Sequence, residues 1–364
     1  MLLKLSLDTY LHVFKFLNWA SDMDVLYMLK LSPNEIMTLK HYWISYTKFT
    51  RHQYENIITY AVNGILHRDF GPAEIHIGDR EYWCVNGKKH RRDGPAVIYK
   101  SGYQEWWYND KPHRIGGPAV EFEDGKGQHW YVHGKLHRTN GPAIDANNHL
   151  EWWQNGKKHR LDGPAVIDII EGFQEWWVNG KRHRINEPAV IGRYGKEWWV
   201  NDKKHRLDGP AIEFKYGQYE YWVNGKLHRI DGPATYYDKY NAEWWVNGER
   251  HRIDGPAVTH NNLEEWWVNG VRHRIDGPAV DDRNNEGRQE WWVNGLKHRL
   301  DGPAVRIGSS KEWWQHGQLH REGHKPAIRN RYIQAWYYNG IQYVPDEKDR
   351  HDFTNLVSDS CSIC

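Results

Sequence analysis

Residues 151–167 read EWWQNGKKHRLDGPAVI, and close copies of this stretch recur until nearly the end of a chain of 364 residues. The histidine of each copy follows the previous one by 22 to 25 residues and marks twelve full units, at His67, His90, His113, His137, His159, His183, His205, His228, His251, His273, His298 and His320. A half unit follows at residues 336–343. Self-similarity at such a period is the signature of a repeat array. Because one transition state needs one set of groups in one place, the recurrence favours a scaffold over an enzyme.

Each unit carries a strong β-hairpin signal. The pair Asn155-Gly156 favours a two-residue type I′ turn, which needs positive φ at both central residues. Pairing across such a turn is fixed by the turn itself. From the turn outward, the predicted pairs are Gln154 with Lys157, Trp153 with Lys158, Trp152 with His159, and Glu151 with Arg160.

The two adjacent tryptophans place one ring on each face of the hairpin, since side chains alternate along a strand. The Trp152 position is aromatic in every copy, whereas the Trp153 position relaxes to Ala61 and Cys84 in the first two. We therefore expect the Trp152 ladder to be the buried face. The face with Trp153, Glu151 and Arg160 is expected to be partly wet, its rings sandwiched by guanidinium planes and its Glu and Arg rows joined as cross-strand ion pairs.

An Asp-Gly-Pro-Ala segment ends each unit. One proline recurs at the same site of every full unit, from Pro72 to Pro326. Proline has no N–H to give a ladder, so its recurrence predicts a bend, and the Asp before it suits an Asx turn. The segments between units, such as residues 167–174, vary in length as surface loops do. The predicted fold is mainly β: an elongated array of β-hairpin repeats with a small helical head.

Composition excludes several functional classes. The net charge of +2 gives no field to gather nucleic acid or anionic lipid. Three cysteines cannot make a disulfide framework and suit a reducing compartment. No stretch approaches the ~18 apolar residues of a transmembrane helix, and the start lacks a secretory cleavage signal. These features predict an intracellular, cytoplasmic protein.

The pattern W-x-N-G-K-x-H resembles the MORN repeat, the membrane occupation and recognition nexus. The residues that match the family's Trp, Asn, Gly, Lys and His are Trp153, Asn155, Gly156, Lys157 and His159, and the resemblance covers about residues 54–343. It implies consecutive β-hairpins in an open, twisted sheet or solenoid. The Arg after His and the Asp-Gly-Pro corner depart from the family. Arrays of this divergent type resemble those of large DNA viruses of protists, which would imply a host cytoplasm.

Residues 1–50 have a different texture and predict three short helices. Ser32-Pro33-Asn34-Glu35 reads as a capping box with proline at the first helical position. The layout is similar to an F-box, the module that docks a receptor onto the Skp1-type adaptor of a cullin ubiquitin ligase. The residues carried over from that motif are Leu5, Asp8, Val13, Phe14, Phe16 and Leu17. The alternative is a helical cap over the open edge of the first hairpin.

The candidate target-binding face consists of one tryptophan and one arginine row. Its residues are Trp107, Trp153, Trp177, Trp199, Trp222, Trp245, Trp267, Trp292 and Trp314, with Arg160, Arg184, Arg206, Arg229, Arg252 and Arg274. The histidines are expected to be hydrogen-bonded structural rings, because no unit adds a cysteine or a second spaced histidine to make a metal site. Residues 344–364 are expected to be a disordered tail, and Cys361 could begin a prenylation box or belong to a chance C-x-x-C.

The sequence thus favours a non-enzymatic protein-recognition scaffold without metal or cofactor, in which an F-box-type head links a bound target to a Skp1-cullin ligase. One alternative is a MORN-like scaffold with no ligase link, structural or near membranes. A third hypothesis is an aromatic ladder that stacks single-stranded nucleic acid or glycan, although the charge balance offers no support for nucleic acid. The oligomeric state and the target are left open.

Overall fold

The computed structural model describes residues 49–346, apart from the side chains of residues 49 and 124. This region is nearly all β-structure, and its only helical element is the 3-10 turn Glu123–Gly125. The chain also divides into two larger compact units, each of which contains several repeats. The first unit is Met1–Lys181 and the second unit is Arg182–Cys364. In both, antiparallel strands pair with their neighbours along the chain.

In the first unit, the main antiparallel sheet contains paired strands of two to six residues. They are Phe49–Tyr54, Ile57–Val62, Ile65–Leu66, Glu74–His76, Arg80–Tyr82, Val97–Tyr99, Gln104–Glu105, Val120–Glu121, Gly127–His129, Ile144–Ala146, His149–Glu151, Val166–Asp168 and Phe173–Glu175. Short separate hairpins, which we call tip hairpins, pair Cys84–Val85 with Lys88–Lys89, Trp107–Tyr108 with Lys111–Pro112, Tyr131–Val132 with Lys135–Leu136, and Trp153–Gln154 with Lys157–Lys158. The strands Trp177–Val178 and Lys181–Arg182 lie at the unit boundary.

The second unit repeats this plan. Its main-sheet strands are Val190–Gly192, Gly195–Glu197, Ile212–Phe214, Tyr219–Glu220, Thr235–Asp238, Asn241–Glu243, Val258–His260, Leu263–Glu265, Val280–Asp282, Arg288–Glu290, Val305–Ile307, Ser310–Glu312, Ile328–Arg329, Gln334–Tyr338 and Ile341–Tyr343. Its tip hairpins pair Trp199–Val200 with Lys203–Lys204, Trp222–Val223 with Lys226–Leu227, Trp245–Val246 with Glu249–Arg250, Trp267–Val268 with Val271–Arg272, Trp292–Val293 with Leu296–Lys297, and Trp314–Gln315 with Gln318–Leu319.

The predicted turns are confirmed. Asn155 has φ 50° and Gly156 has φ 78°, so both central residues adopt the positive φ of a type I′ turn. The inner register is also as predicted, with Trp153 opposite Lys158 and Gln154 opposite Lys157.

The predicted pairing of Glu151 with Arg160 is wrong. Glu151 lies in the main sheet, opposite Ile144 on one side and Val166 on the other. The strand breaks at Trp152, because its N–H donates to Ala165 O (2.8 Å) while its carbonyl accepts from His159 N–H (3.0 Å). Each repeat therefore contributes two hairpins, one at the tip and one in the main sheet. The variable segments between repeats contain the main-sheet hairpin rather than a loop alone.

The core is built from small residues. The alanine of the Asp-Gly-Pro-Ala segment is 0% exposed in each of the twelve full units, from Ala73 to Ala327. Its backbone bonds explain this position, since Ala165 N–H donates to Glu175 O (2.7 Å) while Ala165 O accepts from Trp152. The next residue, such as Val166, is also buried in most units. The corner is therefore wedged between two neighbouring strands, where a methyl group fills the space.

The array begins slightly before residue 54, and its last strand ends at Tyr343. Strand Phe49–Tyr54 pairs along its whole length with Ile57–Val62, so the sheet starts before residue 54. At the other end Pro345 is buried, within the segment expected to be an unpacked tail. The F-box-like residues Leu5, Asp8, Val13, Phe14, Phe16 and Leu17, and the possible lipidation site Cys361, lie outside the described residues.

Candidate functional site

In eleven repeats the arginine of the His-Arg pair lies over the first aromatic ring of its own repeat, a tryptophan in nine of them and a tyrosine in two. The guanidinium carbon of Arg160 is 3.9 Å from the centroid of the Trp152 ring. The same contact, at 3.6 to 4.2 Å, joins Arg68 to Tyr60, Arg91 to Trp83, Arg114 to Trp106, Arg138 to Trp130, Arg206 to Trp198, Arg229 to Tyr221, Arg252 to Trp244, Arg274 to Trp266, Arg299 to Trp291 and Arg321 to Trp313. A guanidinium over an aromatic ring is held both by charge and by stacking.

The rest of the motif fixes this guanidinium. Arg160 Nε donates to Asp162 Oδ1 (3.0 Å) and Arg160 Nη1 donates to Pro164 O (3.1 Å). A Cβ added at Gly163 would lie 2.9 Å from Arg160 Cζ, so glycine leaves the room that the guanidinium occupies. The sequence H-R-x-D-G-P-A is therefore one packing device, in which Asp, Gly and Pro each serve the arginine. The carboxylate of Asp162, which was expected to form an Asx turn, accepts from Arg160.

This geometry corrects the predicted face of the arginine. We call the surface formed by Trp152, His159, Arg160 and their equivalents the arginine face, and the surface formed by Glu151, Trp153, Lys158 and their equivalents the glutamate face. Arg160 was placed with Trp153 but stacks on Trp152 instead. The physical reason is the strand break at Trp152, after which the arginine follows the corner rather than a ladder.

The glutamate face contains a half-buried polar network. Trp153 Nε1 donates to Glu151 Oε2 (2.6 Å), and Lys158 Nζ lies 3.1 Å from Glu151 Oε1. The bond from indole to glutamate recurs in nine units, those of Glu105, Glu151, Glu175, Glu197, Glu220, Glu243, Glu265, Glu290 and Glu312. Burial alone would raise the pKa of Glu151, but hydrogen bonds from His149, Trp153 and Lys158 together lower it. Glu151 therefore pairs with Lys158 and not, as had been predicted, with Arg160.

The residues predicted to form the target-binding face are thus divided between two faces. The tryptophans Trp107, Trp153, Trp177, Trp199, Trp222, Trp245, Trp267, Trp292 and Trp314 lie on the glutamate face and are half-buried. The arginines Arg160, Arg206, Arg229, Arg252 and Arg274 lie on the arginine face, stacked on the other tryptophan row. Arg184, the sixth predicted arginine, donates from Nη1 to Pro188 O like the rest (3.1 Å).

The histidines join successive tip hairpins. His159 Nδ1 accepts a hydrogen bond from the backbone N–H of Asn179, the first turn residue of the next unit (3.1 Å). Equivalent bonds of 3.1 Å reach His137 from Asn155, His205 from Asn224, His228 from Asn247, His251 from Asn269, His273 from Asn294 and His298 from His316. Because a backbone N–H can only donate, Nδ1 must be unprotonated and the proton sits on Nε2. The prediction of hydrogen-bonded structural rings agrees with these contacts.

Two histidines at this position of the repeat, His113 and His298, have a lowered pKa, and His113 Nδ1 likewise accepts from the backbone N–H of His133 (3.0 Å). Burial lowers the pKa of His113, and the neighbouring His133 lowers it further. Burial likewise lowers the pKa of His298, with His316 as the second cause. The ring centroids of His113 and His133 are 4.3 Å apart, and those of His298 and His316 are 4.4 Å apart. Neutral rings are therefore favoured at these positions.

Grooves separate successive corners on the arginine face. One groove, of about 510 Å³, is lined by Thr139 and Asn140 of one corner and by Trp152, His159 and Leu161 of the next. The residue after the His-Arg pair stands at its rim and is exposed, as Leu161 is. Sequence reasoning missed this position. Its signal was the aliphatic residue that recurs between Arg and Asp-Gly-Pro, where a turn residue would be polar.

Within residues 49–346, no group of three or more His, Cys, Asp or Glu is placed to hold a metal ion. No helix in this part of the chain has the length and apolar character needed to cross a membrane. No protein-family model matches the sequence, and no curated protein is significantly similar to it.

Proposed function

We propose that the protein is a non-enzymatic recognition scaffold whose repeat array binds a target protein. The observation that carries the proposal is that the repeated aromatic and charged side chains are engaged in contacts with one another within the array. Arg206 already contacts Trp198, Asp208 and Pro210, and the Trp199 indole already donates to Glu197. Groups engaged in this way build a rigid support. What the support repeats at its surface is a set of corners and tips, the arrangement that suits recognition of another macromolecule.

The same engagement argues against the aromatic ladder as a base- or sugar-stacking platform. Such platforms present open ring faces to the ligand. Here Arg252 lies 4.0 Å over the Trp244 ring, and Trp245 Nε1 is bonded to Glu243. Recognition of a protein does not require the arginine to leave the face of the ring.

We further propose that the first fifty residues act as an F-box-type head, which would make the protein a substrate receptor in the cytoplasm of its cell. The support is the resemblance of Leu5, Asp8, Val13, Phe14, Phe16 and Leu17 to the F-box opening. A head that docks on a Skp1-type adaptor followed by a target-binding array forms a complete receptor. The MORN-like scaffold without a ligase link is the alternative, and it shares the array while dispensing with the head's role.

Binding of the full chain to a purified Skp1-type adaptor with its cullin tests the head. We expect capture of the adaptor by the wild-type chain and its loss in a Phe14→Asp, Leu17→Asp double variant. The matched control is His12→Asp, at a neighbouring position outside the carried-over motif. Equal capture by all three chains, or capture by none, contradicts the receptor proposal and leaves the scaffold without a ligase link.

A further inference from the structure

A row of exposed aliphatic side chains runs through the second unit. Its members all follow the His-Arg pair and are 67 to 84% exposed: Ile185, Leu207, Ile230, Ile253, Ile275 and Leu300. In the first unit the same position holds Asp69, Arg92, Ile115, Thr139 and Leu161, so no continuous row forms there. Isolated exposed aliphatic residues are ordinary, but six at equivalent positions of successive repeats form a regular apolar row. We call it the aliphatic row.

Each member of the aliphatic row is held by a rigid corner. Beside Ile253, Arg252 stacks on Trp244 (4.0 Å), donates to Pro256 O (3.2 Å) and is only 24% exposed. Arg252 Nε also donates to Asp254 Oδ1 (3.0 Å), so the corner cannot fold its aliphatic side chain inward without breaking three contacts of the arginine. Folding does not use this apolar surface, which is presented in a fixed position.

A carboxylate stands beside each row member from Leu207 onward. The side chains of Asp208, Asp231, Asp254, Asp276 and Asp301 are 81 to 85% exposed. A hydrogen bond from Arg229 lowers the pKa of Asp231, and the other four pKa values are lowered in the same way by their own arginines. The arginines are mostly covered, so the ligand-facing charge along the row is negative.

This charge decides among possible occupants. A second copy of the row would bring carboxylates against carboxylates, and anionic lipid or nucleic acid would meet the same repulsion. A polypeptide with aliphatic side chains flanked by lysine or arginine would satisfy both the apolar and the acidic positions. The partner is therefore a basic, amphipathic protein segment.

Spacing indicates the conformation of that segment. Each unit adds two main-sheet strands, and at about 4.8 Å per strand the row members recur roughly every 10 Å. A helix advances about 10.5 Å in seven residues, whereas side chains on one face of a strand recur about every 6.6 Å. A helix with a heptad repeat matches the row, and a strand does not.

We propose that the aliphatic row of the second unit binds a basic amphipathic helix of a partner protein, with apolar side chains seated between the isoleucines and with lysine or arginine at the aspartates. This deepens the proposed function, since it rests on the array being the target-binding part and names the chemistry of the target. It moves the binding surface from the sequence-predicted tryptophans to the rim of the arginine face.

The test uses the full chain and a four-heptad helical peptide with leucine at every seventh position and lysine beside it. A peptide of the same composition in permuted order is the control ligand. We expect the heptad peptide alone to bind, with an affinity that falls as salt rises. Because each variant removes an apolar contact and adds a charge at the contact surface, Ile253→Asp and Ile275→Asp should each weaken binding roughly tenfold or more.

Matched variants separate binding from folding. Tyr216→Asp changes an equally exposed side chain of the second unit outside the row, and it should leave the affinity unchanged. Asp254→Asn keeps an oxygen for Arg252 but removes the charge, so it should weaken binding and flatten the salt dependence. No binding of the heptad peptide, equal binding of both peptides, or equal affinity of Ile253→Asp and Tyr216→Asp overturns the inference. Adaptor capture is measured separately, so loss of the ligase link leaves this result interpretable.

Discussion

The guanidinium carbon of Arg206 lies 4.0 Å from the centre of the Trp198 ring, and Trp198 is only 8% exposed. The two residues are eight positions apart and are joined by a turn that neither of them forms. The arginine holds the corner against the hairpin through Asp208 (3.0 Å) and Pro210 (3.2 Å). The repeat is thus stabilised by a charged residue in addition to its core of small apolar residues.

Replacement of Arg206 by lysine should destabilise the second unit by about 2–3 kcal/mol, because an ammonium cannot stack on the indole while donating to Asp208 and Pro210. The urea midpoint measures the loss. Arg283→Lys, at an exposed position in a variable segment, is the control and should shift the midpoint by less than about 0.5 kcal/mol. Equal midpoints for the two variants would contradict the role of the stack.

Gly232→Ala should destabilise by displacing the arginine of its corner. A Cβ at this position would lie 2.9 Å from Arg229 Cζ, so the guanidinium would be pushed from Tyr221. In an Arg229→Ala background the same glycine change should cost much less, since the conflict is gone. A double-mutant cycle measures the coupling, and a coupling energy near zero would show that glycine serves the backbone instead.

The two tryptophans of one unit should differ in cost. Trp198→Ala removes a buried ring and its arginine contact, for about 3–5 kcal/mol. Trp199→Ala removes a half-buried ring and the donor to Glu197 (2.7 Å), and we expect a smaller loss of roughly 1–3 kcal/mol. Limited proteolysis should show cleavage near the altered unit first, because repeats are stabilised by their neighbours. A costlier Trp199→Ala would make the glutamate face the main source of stability.

The stability of the array should fall as the solution is acidified. The pKa of His113 and of His298 is lowered from 6.5 in the folded chain. The unfolded chain therefore binds more protons below this value, so the contribution of these rings is present above pH 6.5 and is lost as the pH falls towards the lowered pKa. Melting temperature against pH measures it. His298→Gln should reduce the dependence, and an unchanged dependence would contradict this prediction.

Local sequence signals predicted the local structure. Asn155-Gly156 specified a type I′ turn, and that turn set Trp153 opposite Lys158. The break at Trp152 could not be predicted in the same way, because it depends on a hydrogen bond to Ala165, thirteen positions away. The prediction continued the alternation of side chains past Trp152, and it therefore placed Arg160 on the wrong face. A periodic pattern gives the face of a residue only while the ladder is unbroken.

The aliphatic row was not predicted from the sequence, for a related reason. Tryptophan and arginine are common in binding surfaces, and their recurrence drew attention to Trp199 and Arg206. Packing satisfies both, through Glu197 and through Trp198. Packing leaves the aliphatic residue that follows the arginine, such as Leu207, exposed. This exposure can be recognised only once the position of the arginine is known.

Hydroxyl-radical footprinting of the full chain with and without the heptad peptide tests most directly which surface recognises a partner. Leucine, isoleucine and tryptophan side chains all react, so both candidate surfaces report in one experiment. The account predicts protection at Leu207, Ile230, Ile253 and Ile275, with Trp222, Trp245 and Trp267 unchanged. Protection of those tryptophans, with the aliphatic row still reactive, would contradict it and return recognition to the glutamate face.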